Sequence, residues 1–216
     1  MQIAEEVARI LLQINAIKIS PQNPFVWASG LFSPIYCDNR ILLSYPDERT
    51  RVKKLFEQMS ADFGSFDYIA GVATGGIPLG ALLADQMRMP FAYVRSSTKG
   101  HGKKNRIEGM RDSNHKVLVI EDLISTGNSS LRAVDSLRYH GCEVTGILAI
   151  FSYGLDVAAE KYKRANCRLD TLTNFGSMID VADEMDLIDE TDMLLLRKWR
   201  EAPLDWSEMI KKKQSN

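Results

Sequence analysis

The 216-residue sequence is poor in the features that mark specialised classes of protein. Its three cysteines, Cys37, Cys142 and Cys167, are far apart and form no CxxC pair, so we expect no disulfide framework and a reduced, cytoplasmic location. No apolar run approaches the ~20 residues that cross a bilayer. Residues 1–6 include acids and lack the basic and apolar stretches of a secretory signal. We therefore expect neither a membrane partner nor export.

An excess of charge of one sign is also missing. Lysine and arginine total 27, and aspartate and glutamate total 28, so the net charge of −1 gives no global reason to expect nucleic acid as a partner. Hydrophobic residues make up 45% of the chain and charged residues 25%, which excludes a disordered chain. The length predicts one large domain, or one domain with a small appendage, and a sizeable core.

Two common nucleotide-binding signatures are absent. The chain contains no GxGxxG run. Gly102-Lys103 is followed by Lys104 where a Walker phosphate loop has serine or threonine, and it does not begin a predicted helix. Any phosphate site must therefore be built differently.

Hydrophobic periodicity predicts the elements. A helix is expected over residues 3–14 and another over 46–62, and two aromatic and β-branched runs, 25–29 and 34–40, are typical of a hairpin. From residue 68, short apolar runs alternate with helical stretches, which predicts an α/β fold with a mainly parallel sheet flanked by helices. The predicted strands are 68–73, 91–95, 116–121, 143–151 and 168–172, and the predicted helices are 77–88, 127–140, 156–164, 177–184 and 190–200. The acids of 180–192 and the lysines of 211–213 are expected to be solvated, the latter in a frayed tail.

The strongest local feature is the stretch from Lys116 to Ser130. An apolar strand leads into Glu121 and Asp122, then into small hydroxyl residues and a glycine, and then into a helix. Free N–H groups at a helix start attract anions, and paired carboxylates accept hydrogen bonds from sugar hydroxyls. The stretch therefore predicts a ribose phosphate site, although Ser125 and Thr126 as simple helix caps are the alternative.

A second feature is the cationic stretch from Arg95 to Gly109. It contains three glycines and few apolar residues, and it joins two predicted strands. Long loops of this kind are usually lids or binding loops. The alternative is a mobile surface loop with solvated charge.

The Lys116 to Ser130 stretch resembles the phosphoribosyl pyrophosphate motif of type I phosphoribosyltransferases. The resemblance implies that Glu121 and Asp122 hold the ribose hydroxyls and that residues 125–129, here called the phosphate loop, bind the ribose phosphate. The donor-binding residues it implies in this stretch are Glu121, Asp122, Leu123, Ile124, Ser125, Thr126, Gly127, Asn128 and Ser129.

The cationic stretch resembles the catalytic lid of the orotate phosphoribosyltransferases. By resemblance, Arg95, Lys99 and His101 are catalytic and contact the donor, the lid is flexible, and it reaches into the active site of a partner subunit, which implies a homodimer. Ser96 stands where the family lid has a further lysine, and Lys103 and Lys104 are candidates to compensate.

Two further segments resemble that family. Residues 28–40 are similar to its base-recognition hairpin, which implies that Lys18, Tyr36 and Ser125 contact orotate; ring packing alone is the alternative for Tyr36. Residues 71–78 resemble its pyrophosphate loop, which implies donor contacts from Thr74 and Gly75. Two basic residues of some family members are missing here. Ala28 stands where many of them have a lysine before Ser-Gly, and no arginine lies near Gly154, where some of them have one.

The resemblance implies an enzyme that transfers the phosphoribosyl group to orotate in pyrimidine biosynthesis. Magnesium is the expected cofactor, carried by the donor with no direct protein ligand. The implied domain spans 1–216, with a hood at about 1–45, a core at about 65–155 and a helical part at about 156–216. Another base phosphoribosyltransferase, including a purine enzyme, and a noncatalytic sensor of the donor are the alternatives.

Overall fold

The chain divides into two units. One contains residues 1–45 together with 173–216, and the other contains residues 46–172. The computed structural model describes residues 2–27, 30–96 and 106–214. The assignment of 1–216 to a single domain with a hood, core and helical part stays a prediction.

The helices and strands of the described residues are, in chain order, α1 (Ile3–Gln13), β1 (Ile17–Ile19), β2 (Phe25–Val26), β3 (Phe32–Ser33), β4 (Ile35–Cys37), α2 (Pro46–Ser60), β5 (Tyr68–Val72), α3 (Gly76–Met87), β6 (Phe91–Val94), β7 (Ile107–Glu108), β8 (Lys116–Ile124), α4 (Asn128–Tyr139), β9 (Glu143–Ser152), α5 (Asp156–Arg164), β10 (Leu169–Asn174), α6 (Phe175–Glu184), α7 (Glu190–Glu201) and α8 (Pro203–Gln214). Within the described ranges, every helix is too short or too polar to cross a bilayer.

The main sheet has six strands in the order β10-β9-β8-β5-β6-β7. β5 pairs in parallel with β6 and with β8, and β8 pairs in parallel with β9, whereas the short β7 runs antiparallel to β6. β5 is buried along its whole length, which is why it has a continuous apolar sequence. The predicted α/β fold with a mainly parallel sheet flanked by helices is confirmed.

Two crossovers leave the middle of this sheet in opposite directions. α3 leads from β5 to β6 on one side, and α4 leads from β8 to β9 on the other. The strand order therefore reverses between β5 and β8, whose carboxyl ends lie side by side because the strands are parallel. Ligands of open α/β sheets bind at such a reversal. The residues after β5 and the last residues of β8 are thus placed where a substrate site is expected.

The other unit contains two small antiparallel sheets and helices α1, α6, α7 and α8. β2 pairs with β3, and β1 pairs with β4. The predicted hairpin between 25–29 and 34–40 is therefore wrong in its second strand. β3 pairs with β2, but after Pro34 the chain continues as β4, which pairs with β1 instead. At this change of partner, the Ser33 hydroxyl donates a hydrogen bond to the Ile35 carbonyl over 2.8 Å. The predicted frayed tail at 211–213 is also wrong, since these exposed lysines continue α8.

Candidate active site

The two adjacent acids lie inside β8. β8 continues to Ile124, beyond the predicted end at residue 121, because Leu123 and Ile124 still pair with β9. Glu121 is only 4% exposed, whereas Asp122 is half-buried. The two acids therefore have different environments despite being neighbours in the sequence.

The Glu121 carboxyl is held inward by the protein. One oxygen accepts a hydrogen bond from the Asp122 N–H over 3.1 Å, and the other accepts one from the Ser129 hydroxyl over 3.4 Å. Burial, together with the nearby negative charge of Asp122, raises the pKa of Glu121 to about 9. Glu121 is therefore a neutral carboxyl at neutral pH.

Asp122 lies against the loop that follows β5. A methyl group added at Gly75 would overlap the Asp122 carboxylate, and one added at Gly76 would overlap the Ile120 carbonyl. The Ala73–Thr74 peptide bond in this loop is cis. The absence of side chains at 75 and 76 thus allows the predicted pyrophosphate loop and the predicted ribose-binding acid to meet.

The phosphate loop ends at the start of α4. Gly127 has φ +74°, a left-handed conformation that favours glycine, and its carbonyl accepts the first helical hydrogen bond from Leu131 over 3.1 Å. The first N–H groups of a helix have no partner within the helix, and they carry the positive end of its dipole. Because Asn128 and Ser129 are exposed, this end of α4 can receive an anion.

Helix α5 contacts the phosphate loop, which the sequence reasoning missed. The Tyr162 and Ser130 hydroxyls share a hydrogen bond of 2.6 Å, and the Ser130 hydroxyl donates to the Gly127 carbonyl over 3.2 Å. Burial raises the pKa of Tyr162 to about 12. Lys161 donates to the Thr126 carbonyl over 3.3 Å and to Asn128 Oδ1 over 2.8 Å. No local sequence signal links α5 to this loop, because the two are joined only by the fold.

Arginines gather at the base of the predicted lid. The Arg95 N–H donates to the Arg106 carbonyl over 2.8 Å, and the Arg95 guanidinium lies 3.4 Å from the Glu108 carboxylate. Arg95, Arg106 and Arg132 line one cavity of about 10 Å³, the space of a single water, together with neighbours that include Ala73 and Ser129. Arg95 and Arg106 belong to the predicted lid, in which only Arg95 has an implied catalytic role, whereas Arg132 belongs to α4 and has no such signal in the sequence. The predicted catalytic residues Lys99 and His101 lie outside the described residues.

The predicted orotate residues Lys18 and Tyr36 lie together in the other unit. They are directly opposite in the β1–β4 register, and both side chains are exposed. Directly opposed residues of an antiparallel pair share one face of the sheet. The Tyr36 ring is 5.7 Å from that of Phe25 and tilted by 41°, so one part of it packs while 38% of the residue stays exposed.

Comparison with known protein families assigns the chain to a family whose domain includes this site. The model of the phosphoribosyl transferase domain matches residues 40–184, which include β5, the two acids and the phosphate loop. The chain therefore belongs to the phosphoribosyltransferase family.

Individual relatives narrow the assignment. A protein of Bacteroides thetaiotaomicron named orotate phosphoribosyltransferase is 52% identical over 200 residues, which are 92% of this chain and 94% of that protein. One of Listeria innocua with the same name is 47% identical over 207 residues, 95% of this chain and 99% of its own. The crystal structure of orotate phosphoribosyltransferase from Aeropyrum pernix has a TM-score of 0.73 at 28% identity, covering 85% of this chain and 99% of that one. Within its family, the chain is thus placed with the orotate phosphoribosyltransferases.

Proposed function

We propose that this protein transfers the phosphoribosyl group of phosphoribosyl pyrophosphate to orotate, giving orotidine monophosphate and pyrophosphate for pyrimidine biosynthesis. The observation that carries the proposal is the close approach of Asp122 to Gly75 where the strand order reverses, with the phosphate loop following directly after β8. The identity of 52% to an orotate phosphoribosyltransferase supports the choice of base.

The donor would bind across the ends of β5 and β8. Asp122, the less buried acid, accepts hydrogen bonds from the ribose hydroxyls. The N–H groups at the start of α4 and the hydroxyls of Ser125 and Thr126 hold the ribose phosphate. Glu121 supports this arrangement from beneath, because its oxygens already accept hydrogen bonds from Asp122 and Ser129.

The leaving pyrophosphate would lie near the loop after β5. Thr74 and the Gly75 main chain contact it there, and Arg95 lies at the adjacent strand end, next to Arg106 and Arg132. Lys99 and His101 of the predicted lid donate hydrogen bonds to the pyrophosphate, on which negative charge accumulates as its bond to ribose C1 breaks and the bond from C1 to orotate forms. Closure of the lid excludes water that would otherwise hydrolyse the donor.

Orotate would be recognised by groups of opposite charge and by a ring. Lys18 offers a cation for the orotate carboxylate, and Tyr36 on the opposing strand offers an exposed aromatic face. Ser125 of the phosphate loop is the third proposed contact. These residues favour an acidic pyrimidine over a neutral base.

Magnesium, a homodimer and a cytoplasmic location complete the proposal. When bound, magnesium neutralises the charge of the pyrophosphate. Asp122 offers the oxygen chemistry that this ion prefers, and the ion would arrive on the donor with most of its waters. The dimer rests on the resemblance of the lid, and three cysteines that form no disulfide among the described residues fit a reducing compartment.

A panel of bases tests the choice of acceptor. Orotate, uracil, adenine and hypoxanthine are each incubated with the protein, phosphoribosyl pyrophosphate and magnesium, and nucleotide formation is measured by chromatography. We expect orotidine monophosphate alone. A purine nucleotide as the main product would overturn the proposal.

A further inference from the structure

Two neighbouring side chains of α5 contact four residues in and beside the phosphate loop. Tyr162 is 4% exposed and hydrogen bonds with Ser130, and its ring packs against Gly127 so closely that an added methyl group there would lie 2.9 Å from it. Lys161 binds the loop on either side of Gly127, through the Thr126 carbonyl and the Asn128 side chain. The loop is therefore held by α5 as well as by β8 and α4.

We propose that Lys161 is a positioning residue that sets the affinity of the phosphate loop for the ribose phosphate. This inference rests on the proposed function, because it gives a role to a residue of the same site. Lys161 acts through the loop, without being required to touch the donor.

The lysine controls the orientation of the Asn128 amide. An ammonium group only donates hydrogen bonds, so Asn128 must turn its Oδ1 toward Lys161, which lies 2.8 Å away. The Asn128 N–H₂ group then points elsewhere and remains a donor, at the exposed start of α4 where an anion is expected. Without Lys161, the amide can rotate and present its oxygen to the phosphate, which is repulsive.

Lys161 also fixes the main chain of the loop. Its bond to the Thr126 carbonyl holds the peptide that precedes Gly127, the residue with the left-handed conformation. Loop N–H groups that are already oriented bind an anion without first losing conformational freedom. The positive charge beside the loop further favours phosphate.

A matched control lies on the same helix. Lys163 carries the same charge two residues away, but it is exposed to solvent, whereas Lys161 is half-buried against the loop. Ala158 and Tyr162 are buried and anchor α5. We therefore expect α5 to fold without Lys161, and the Lys163 variant reports any effect of the charge alone.

The test compares Lys161→Met, Lys161→Gln, Lys161→Arg and Lys163→Met. Binding of ribose 5-phosphate is measured by calorimetry, and kcat and KM are measured for both substrates. We expect Lys161→Met and Lys161→Gln to weaken ribose 5-phosphate binding and raise the donor KM about tenfold, the effect of one lost charged hydrogen bond. The kcat and the orotate KM should change less than about twofold, Lys161→Arg should recover part of the affinity, and Lys163→Met should resemble wild type.

Two outcomes would overturn the proposal. One is unchanged ribose 5-phosphate affinity in a folded Lys161→Met or Lys161→Gln protein, with folding checked by circular dichroism. The other is an equal loss of affinity in Lys163→Met, since that would assign the effect to charge at a distance. If wild type binds ribose 5-phosphate but consumes no orotate, the proposed function fails, whereas the binding comparison still tests Lys161.

Discussion

At the scale of single residues, the two neighbouring acids of β8 have unequal environments. Glu121 is buried, accepts hydrogen bonds from within the protein and has a pKa of about 9. Asp122 is half-buried and lies against the loop after β5. The sequence reasoning treated the pair as equivalent because burial of one partner depends on the fold. The assignment of both acids to the ribose stays a prediction, and the structure favours Asp122 for direct contact.

Amide substitutions distinguish the two acids. Asp122→Asn removes a charged acceptor and should lower kcat/KM for the donor about 10- to 100-fold. Glu121→Gln replaces a carboxyl that is already neutral, so its kcat/KM should fall by less than about threefold at neutral pH. Steady-state assays of both variants with varied donor make the comparison. Equal losses in the two variants would show that Glu121 acts as an ionised ligand.

Glu121 also makes stability depend on pH. Its pKa rises from 4.5 to about 9 on folding. Between these values the folded protein keeps a proton that the unfolded chain has released, so this carboxyl lowers the free energy of unfolding as pH rises. Below 4.5 and above 9 the proton counts agree, and its contribution does not change with pH. The free energy of unfolding, measured with urea at about pH 5 and about pH 8, should fall more between these two pH values for wild type than for Glu121→Gln. An equal fall of the free energy of unfolding in wild type and in Glu121→Gln would contradict a buried, neutral Glu121 carboxyl.

At the scale of elements, three arginines from different elements line one cavity. Arg95 follows β6, Arg106 precedes β7 and Arg132 lies in the first half of α4. Arg95 pairs with Glu108, whereas the Arg106 Nε is buried without a hydrogen-bond partner among the residues that the structure describes. Like charges brought together favour an anion nearby. This grouping offers a source of positive charge near the predicted pyrophosphate site, where Ser96 replaces a lysine of the family lid.

Arg132 tests that grouping, because it is exposed on α4 and lies outside the phosphate loop. Arg132→Ala should raise the KM for the donor about three- to fivefold, the size of an exposed charge interaction, and leave the orotate KM unchanged. Lys116→Ala is the control, since it removes a cation from the opposite end of β8. If Lys116→Ala raises the donor KM as much as Arg132→Ala does, the effect comes from the overall charge of the protein and the grouping of arginines is not its cause.

Elements differed in how well the sequence predicted them. β8, the phosphate loop and α4 follow one another along the chain, so their succession was readable from apolar and small residues. The pairing of β4 with β1 was not readable from the sequence. Fifteen residues separate Ile19 from Ile35, and β2, which is nearer in the chain, was an equally possible partner for β4. β7 was also missed, since two residues, Ile107 and Glu108, are too few to show a period.

At the scale of the whole molecule, the net charge of −1 conceals two opposite segments. Residues 95–111 contain six lysines and arginines and one acid, whereas residues 180–192 contain seven acids and no base. A local cationic segment suits a polyanionic donor even in a nearly neutral protein. Global composition therefore pointed to no substrate, and the substrate class was inferred only from local patterns.

The fold class and the position of the motif residues at the strand ends were predictable, because apolar runs that alternate with helical stretches dictate a parallel sheet, and parallel strands present their carboxyl ends at one edge. The functional roles of those residues stay predictions. The contacts of Lys161 and Arg132 were not predictable, because each depends on which helix the fold places beside a loop distant in sequence. The proposed roles of Lys99 and His101 rest on the sequence alone.

The most direct test of the central claim follows orotate spectrophotometrically on addition of phosphoribosyl pyrophosphate and magnesium. The account predicts that the wild-type protein consumes orotate and releases one pyrophosphate for each orotate used, and that Asp122→Asn does so much more slowly. Absence of orotate consumption by folded wild-type protein would contradict it.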